Sequence, residues 1–294
     1  MKRSSLDVWI MASRPKTLWA AIAPVIIGTA MAYGEQQGHL LSAILATLAA
    51  VFIQIGTNFA NDYFDYFKGA DEEDRLGPTR VTQAGLVKPE TMKRATILVF
   101  SLAVLAGSYL MWRGGWPIIT IGVLSILFGI LYTAGPYPLG YNGLGDIFVL
   151  IFFGVVAVGG TYYVQTLEID YLVILAGLSP GLFSMAILTV NNLRDVKSDF
   201  KAGKLTLAVR FGENFARWEY LTSVLIACII PIVLFFLTSS HLYALAASLV
   251  FVAAIPSIKT VFEKKSGEIF NQVLATTGKL LLIYSILFSL GWIL

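Results

Sequence analysis

Nine mostly apolar runs, near residues 18–34, 41–62, 94–112, 117–134, 144–164, 171–192, 218–237, 241–258 and 275–293, leave this 294-residue chain few folds to adopt. The hydrocarbon core of a bilayer is ~30 Å thick, and about 20 apolar residues cross it as a helix. No water reaches the backbone there, so each crossing segment must satisfy its own N–H and C=O groups. Only 13% of the residues are charged and the mean hydropathy is +0.75, whereas a soluble domain carries about 25% charged residues. The expected fold is all-α, a polytopic membrane protein of nine transmembrane helices forming a single domain over 1–294. The polar start before the first run has no convincing cleavage site, so that run is expected to stay as a helix.

Lysine and arginine placement sets the expected orientation. Nineteen of the 21 basic residues precede the first run or fall between runs two and three, six and seven, or eight and nine. By the positive-inside rule the amino terminus and the loops near 67–93 and 195–217 are cytoplasmic, and the carboxyl terminus is outside. The net charge of +3 says little by itself, because the basic residues gather at one membrane face and form no nucleic-acid groove. One cysteine, Cys228, excludes an intramolecular disulfide and any multi-cysteine metal site. The two histidines, His39 and His241, fall near outer loops and argue against a histidine-based zinc site.

Two of the runs end on side chains that hydrocarbon rejects. Asn61-Asp62-Tyr63-Phe64-Asp65 leads into Lys68-Gly69-Ala70-Asp71, and Asn191-Asn192-Leu193-Arg194-Asp195 leads to Asp199. An ionisable residue at membrane depth costs roughly 2.5–3.5 kcal/mol on insertion scales and by default marks a functional site. On a helix, residues four apart share a face. Asn61 and Asp65 therefore point one way, as do Asn191, Asp195 and Asp199, while Asp71 reaches back from the loop beyond Gly69. Hard oxygen donors in two such sets suit Mg²⁺, which binds through one or two carboxylates plus phosphate oxygens and water. Lys68, Arg80, Arg194, Lys197 and Lys204 stand nearby in sequence to take the remaining oxygens of a diphosphate. Polar capping of helix ends is the plain alternative for either cluster alone. A transport path is another, although it favours acids at mid-bilayer on broken helices.

These stretches, with Ser13-Arg14-Pro15-Lys16-Thr17-Leu18, Arg75-Leu76-Gly77-Pro78-Thr79-Arg80, Gly140-Tyr141-Asn142-Gly143-Leu144-Gly145-Asp146, Gly203-Lys204-Leu205-Thr206-Leu207 and Val209-Arg210-Phe211-Gly212, make a specific set in fixed order. The chain resembles the UbiA-type intramembrane prenyltransferase superfamily, and within it the 1,4-dihydroxy-2-naphthoate branch of menaquinone synthesis. The resemblance implies nine helices around a central cavity and Mg²⁺-dependent transfer of a prenyl group from a polyprenyl diphosphate to 1,4-dihydroxy-2-naphthoate, with loss of CO₂. It also implies a bacterial inner membrane with its lipid as surroundings, and no nucleic acid as partner.

Carried over by motif position, Asn61, Asp65 and Asp71 form one metal and diphosphate set and Asn191, Asp195 and Asp199 the other. Asp65, Asp71, Asp195 and Asp199 are the expected catalytic acids. Asn61, Asp62, Lys68, Arg80, Tyr132, Asn191, Arg194 and Lys204 are expected substrate contacts, and Arg14 and Lys16 are candidates for the acceptor carboxylate. Relatives acting on hydroxybenzoate space their first-motif aspartates four apart; here Asp65 and Asp71 are six apart, as in the naphthoate branch. Those relatives carry a Tyr and a Lys soon after the fourth helix; this chain has Tyr132 and then Pro136-Tyr137-Pro138. Another aromatic acceptor or a phytyl donor is the near rival reading, and a transporter the distant one. Two residues stay open: Asp146, a helix cap or a cavity wall, and Lys279, inside the ninth run.

Overall fold

A computed structural model describes residues 4–68, 76–77, 79–263 and 267–294, and the regular structure among them is all helical, with no strand. A short helix α1 (Ser5–Ser13) opens with a reciprocal cap between Ser4 and Asp7. Arg14, at φ 51°, turns the chain into α2 (Pro15–Gly34), whose proline at the first turn needs no N–H partner. Then come α3 (Leu40–Lys68), α4 (Pro89–Leu131), α5 (Gly145–Leu150), a π-helical turn over Ile151–Val156, and α6 (Ala157–Thr166) in continuation. The chain closes with α7 (Tyr171–Lys201), α8 (Leu207–Phe211), α9 (Glu213–Thr238), a 3-10 segment Leu242–Leu249 leading into α10 (Val250–Glu263), and α11 (Ile269–Ile293).

Eight of these helical stretches are long and apolar enough to cross a membrane. The sequence expectation of nine crossings survives because α4 is a folded-back pair. Its 43 residues would reach about 64 Å if straight, twice a bilayer core. At Gly115 the backbone leaves helical geometry, with φ 64° and ψ −150°, a conformation glycine adopts without penalty. Phe100, before the bend, packs its ring on Gly56 of α3, and Gly129, after the bend, lies against Thr57. Two points nearly equidistant from Gly115 thus meet one level of α3, so the two arms run antiparallel.

The helix α7 is the hub. It packs on α9, α11, α2 and the α5–π–α6 stretch, and the largest buried cluster gathers around it, including Phe183, Tyr220, Phe270 and Tyr284. Lipid gives helices no hydrophobic drive to associate, so close backbone packing of small residues carries the contact. A Cβ on Gly181 would come within 2.5 Å of the Leu150 carbonyl oxygen, and one on Gly154 within 2.6 Å of the Gly177 carbonyl. Helix α7 also runs nine residues past the apolar stretch that suggested it, to Lys201, before Gly203 at φ 71° ends it. The expected loop at 195–217 is therefore helix at its start, again at α8, and at its end in the first turn of α9. On this extension Arg194 pairs with the adjacent Asp195 on the helix itself.

Lys279 lies on the exposed face of α11. Along α11 the outward stripe reads Gln272, Thr276, Lys279 and then Ile283, Ile286, Leu290, so polarity ends at the lysine. Gly278 faces the carbonyl of Lys16 at 3.4 Å from its would-be Cβ, which puts Lys279 level with the start of α2.

The backbone contact between α7 and the α5–π stretch should be intolerant of a single methyl. Gly181→Ala is expected to cost about 1–3 kcal/mol, read as a lowered thermal midpoint in detergent, while Gly107→Ala, which meets open space, should change it little.

Candidate active site

Two helices carry acids past the membrane edge, and a fold-back joins them. Asp62 of α3 is 2% exposed and accepts the backbone N–H groups of Val81 at 3.1 Å and Thr82 at 3.0 Å. A buried carboxylate needs such charge-assisted partners, and these two pin the segment after residue 79 beneath α3. The consequence is a placement: Arg80 Nη2 reaches Asp65 Oδ2 at 2.5 Å. The Tyr141 hydroxyl donates to the other oxygen of Asp65 at 2.8 Å. Tyr141 lies on a 3-10 turn (Leu139–Tyr141) whose carbonyl accepts from Leu205 N–H, which ties the turn to the segment before α8. Lys68 and Lys204 hold their ammonium groups 4.6 and 4.8 Å from the centre of the Tyr141 ring.

On α7 the spacing of four delivers what it promises. Asn191, Asp195 and Asp199 all face one cavity. Arg194 grips Asp195 with Nε at 2.8 Å and Nη2 at 2.5 Å, and gives further hydrogen bonds to Asn191 Oδ1 and Asn271 Oδ1, both at 2.7 Å. Asn271 in turn donates to the Leu76 carbonyl. Arg194 therefore holds the acid set on α7 and reaches α11 through Asn271, which in turn ties in the backbone at Leu76.

The cavity has a volume of about 410 Å³. From α3 it takes Asn61 and Asp65; from α7, Asn191, Arg194, Asp195 and Asp199; from the connecting segments, Arg80, Tyr132 and Lys204. Arg14 and Lys16 close it from the α1–α2 corner. The two acid sets thus meet across one space. Two expected contacts do not reach it: Asp62 is turned onto the 81–82 backbone, and Lys68 lies at the rim over Tyr141. Asp71 lies outside the described residues. Asn61 accepts from Thr133 at 3.0 Å, a contact no motif announced, and Asn271 had no sequence signal because it stands alone at the start of α11.

A second cavity of about 460 Å³ lies beside the first, between α2, α3, α4 and the α5–α6 stretch, lined mainly by aliphatic and phenylalanine side chains. Gln54, Asn61, Tyr132, Val149 and Phe153 border both. The site is therefore a polar chamber opening into an apolar one.

The polar chamber fits a hard cation. Its donors are the oxygens of Asp65, Asp195, Asp199, Asn61 and Asn191, and a carboxylate has about four acceptor positions, so the Arg80 and Tyr141 bonds leave Asp65 capacity. Among the described residues no three acidic, histidine or cysteine groups are grouped to hold an ion by themselves. Mg²⁺ commonly completes its shell with phosphate oxygens of a bound substrate and water.

Known proteins resemble this chain in sequence and in fold. The model of the UbiA prenyltransferase family matches residues 21–292. A 1,4-dihydroxy-2-naphthoate octaprenyltransferase of Haemophilus influenzae is 39% identical over 99% of this chain and 97% of its own. The protein of that name from Escherichia coli is also 39% identical, over 98% and 96%. Among solved structures, a UbiA homolog from Archaeoglobus fulgidus bound to GPP and Mg²⁺ superposes with a TM-score of 0.71 at 16% identity, covering 97% of this chain and 99% of that one.

Removing the Asp62 acceptor should free the segment it holds. Asp62→Ala is expected to lower stability by about 1–3 kcal/mol and to open residues 79–88 to limited proteolysis. Asp62→Asn, which keeps one acceptor oxygen, should be the milder change by both measures.

Proposed function

The chain belongs to the UbiA prenyltransferase family, and from that premise we propose that it transfers a polyprenyl group from a polyprenyl diphosphate to 1,4-dihydroxy-2-naphthoate, with loss of CO₂ and release of diphosphate. The relatives that match it almost end to end bear that activity in their names. It is an integral membrane protein. The observation that carries the reading is the junction of a polar chamber, lined by two facing acid sets, with an apolar one. A prenyl diphosphate has that same division. Its tail belongs among the aliphatic and phenylalanine side chains, and its head among Asp65, Asp195, Asp199, Arg80 and Lys204.

Divalent metal, Mg²⁺ in our reading, would be held by Asn61, Asp65, Asn191, Asp195 and Asp199, and supplies positive charge against which the diphosphate leaves. The protein's own groups do the rest. Arg80 and Lys204 bring fixed cationic donors to the departing head, worth more in a site screened from water. Arg14 and Lys16, at the opposite corner, take the acceptor carboxylate and turn the ring toward the allylic carbon. Tyr132 and Phe153, at the junction, press flat faces on the place where the two substrates meet, and an aromatic face there attracts a cationic centre by roughly 0.5–2 kcal/mol. No nucleophilic side chain is needed, because the electron-rich ring is the nucleophile.

The chamber mouth and the amino terminus face the cytoplasm of a bacterial inner membrane in this reading, with the carboxyl terminus outside, supported by the basic residues at the same end as the acids.

Detergent-purified protein given dihydroxynaphthoate, a polyprenyl diphosphate and Mg²⁺ should yield a prenylated naphthalenediol lacking the carboxyl group, identified by mass. Asp65→Ala and Asp195→Ala should each cut turnover at least about 10²-fold while the protein still purifies folded. Chelation should stop the reaction and Mg²⁺ restore it. Near-normal turnover in either variant, or indifference to chelation, ends the reading.

A further inference from the structure

One polar side chain at the meeting of the two chambers has no part in holding the diphosphate. Gln54 stands on α3 about two turns before Asn61. Steps of four, three and four put Gln54, Asn58, Asn61 and Asp65 on one face of that helix. Gln54 borders both chambers and is only 8% exposed. An amide buried in an apolar run must find hydrogen-bond partners to replace the water it lost. Gln54 finds them for one end only.

The orientation of that amide follows from two backbone carbonyls. The Ser13 and Arg14 carbonyl oxygens can only accept. Asn58 Nδ2 donates to the Ser13 carbonyl at 3.0 Å and to Thr17 Oγ1 at 3.1 Å, and the Thr17 hydroxyl gives its own hydrogen to the Arg14 carbonyl at 2.9 Å. Asn58 Oδ1 and Thr17 Oγ1 are left as acceptors, and Gln54 Nε2 donates to them at 3.5 and 3.4 Å. Flipping the Gln54 amide would set its oxygen against two groups with no hydrogen left to give. Oε1 therefore points away from this network. It has no bonded donor among the described residues, and neighbouring atoms do not close it off. What it meets is the cavity.

Arg14 and Lys16 border the same chamber, from the α1–α2 corner that this network ties to α3. We propose that Gln54 selects the acceptor by taking, on Oε1, a hydrogen bond from the ring hydroxyl farther from the carboxylate. Thr17 and Asn58 are the positioning residues that aim it. The inference rests on the naphthoate reading above. In 1,4-dihydroxy-2-naphthoate the hydroxyl beside the carboxylate donates to that carboxylate within the molecule. The hydroxyl across the ring has no such partner and enters the chamber as a free donor. With the carboxylate on Arg14 and Lys16, a single acceptor oxygen on the adjoining wall completes the recognition of this acid. An acid lacking that hydroxyl leaves Oε1 buried and unpaired, and such an orphan costs more than an ordinary hydrogen bond contributes. Sites built to bond a substrate hydroxyl reject the analogue without it for this reason.

The test compares two acids in the intact, detergent-purified protein. 1-hydroxy-2-naphthoate keeps the carboxylate and its neighbouring hydroxyl and lacks the one assigned to Gln54. Its inhibition constant against prenyl transfer, divided by the KM of the dihydroxy acid, gives a preference ratio. In the wild type that ratio should be about 10 or more. Gln54→Met keeps the side chain's length and removes the amide, so the ratio should fall to about 2 or less, with the KM for the prenyl diphosphate little changed. Thr17→Val leaves Oε1 in place but less firmly aimed, and should lower the ratio part way. A role confined to bracing the α1–α2 corner would weaken both acids alike and leave the ratio as it was. An unchanged ratio in Gln54→Met, or a wild-type ratio near one, overturns the proposal. Should Gln54→Met not fold, an unchanged ratio in Thr17→Val overturns it instead. Wild-type protein that forms no prenylated product would sink the functional reading on which it rests.

Discussion

A carboxylate at the inner end of a membrane helix has to be answered by a partner, and the answers chosen here organise the whole cytoplasmic side. Arg80 answers Asp65, and it can do so only because Asp62 holds the backbone at 81–82. Arg194 answers Asp195 from the same helix while also binding Asn271 on α11. Buried ion pairs are poor sources of net stability, since desolvation offsets their attraction. Their effect is on arrangement. They hold two acid sets, more than 120 residues apart in sequence, around one chamber with their charges balanced before any ligand arrives.

The apolar half depends on a different constraint. Helices in lipid approach closely only where side chains are small, and this chain spends its glycines where α7 meets the α5–π–α6 stretch. On the other side, α4 folds back at Gly115, and its two arms flank α3. Phe128 of α4 reaches Phe148 of α5 and Phe152 of the π-helical turn, with ring centroids 4.8 and 5.5 Å away. Between the tight side and the flanked side lies the second cavity. Rigid packing around α7 and an open flank toward α4 are what a long apolar substrate requires of one fold.

Periodicity and charge placement alone determined the all-helical membrane class, the run of nine crossings, and which faces of α3 and α7 carry oxygen donors. The quoted motifs pointed to the family. These are local quantities: run length follows bilayer thickness, and a helical face follows a spacing of four. Other decisions needed the folded chain. Asp62 and Asp65 share a motif, yet one holds a backbone turn and the other enters the chamber, because three residues on a helix is nearly a full turn but not the same face. Asn271 joined the site with no motif around it, Gly278 settled against the Lys16 carbonyl, and Asp146 was buried at the start of α5. Depth, facing and partner are properties of how helices pack against each other, and no pattern along a single chain segment contains them.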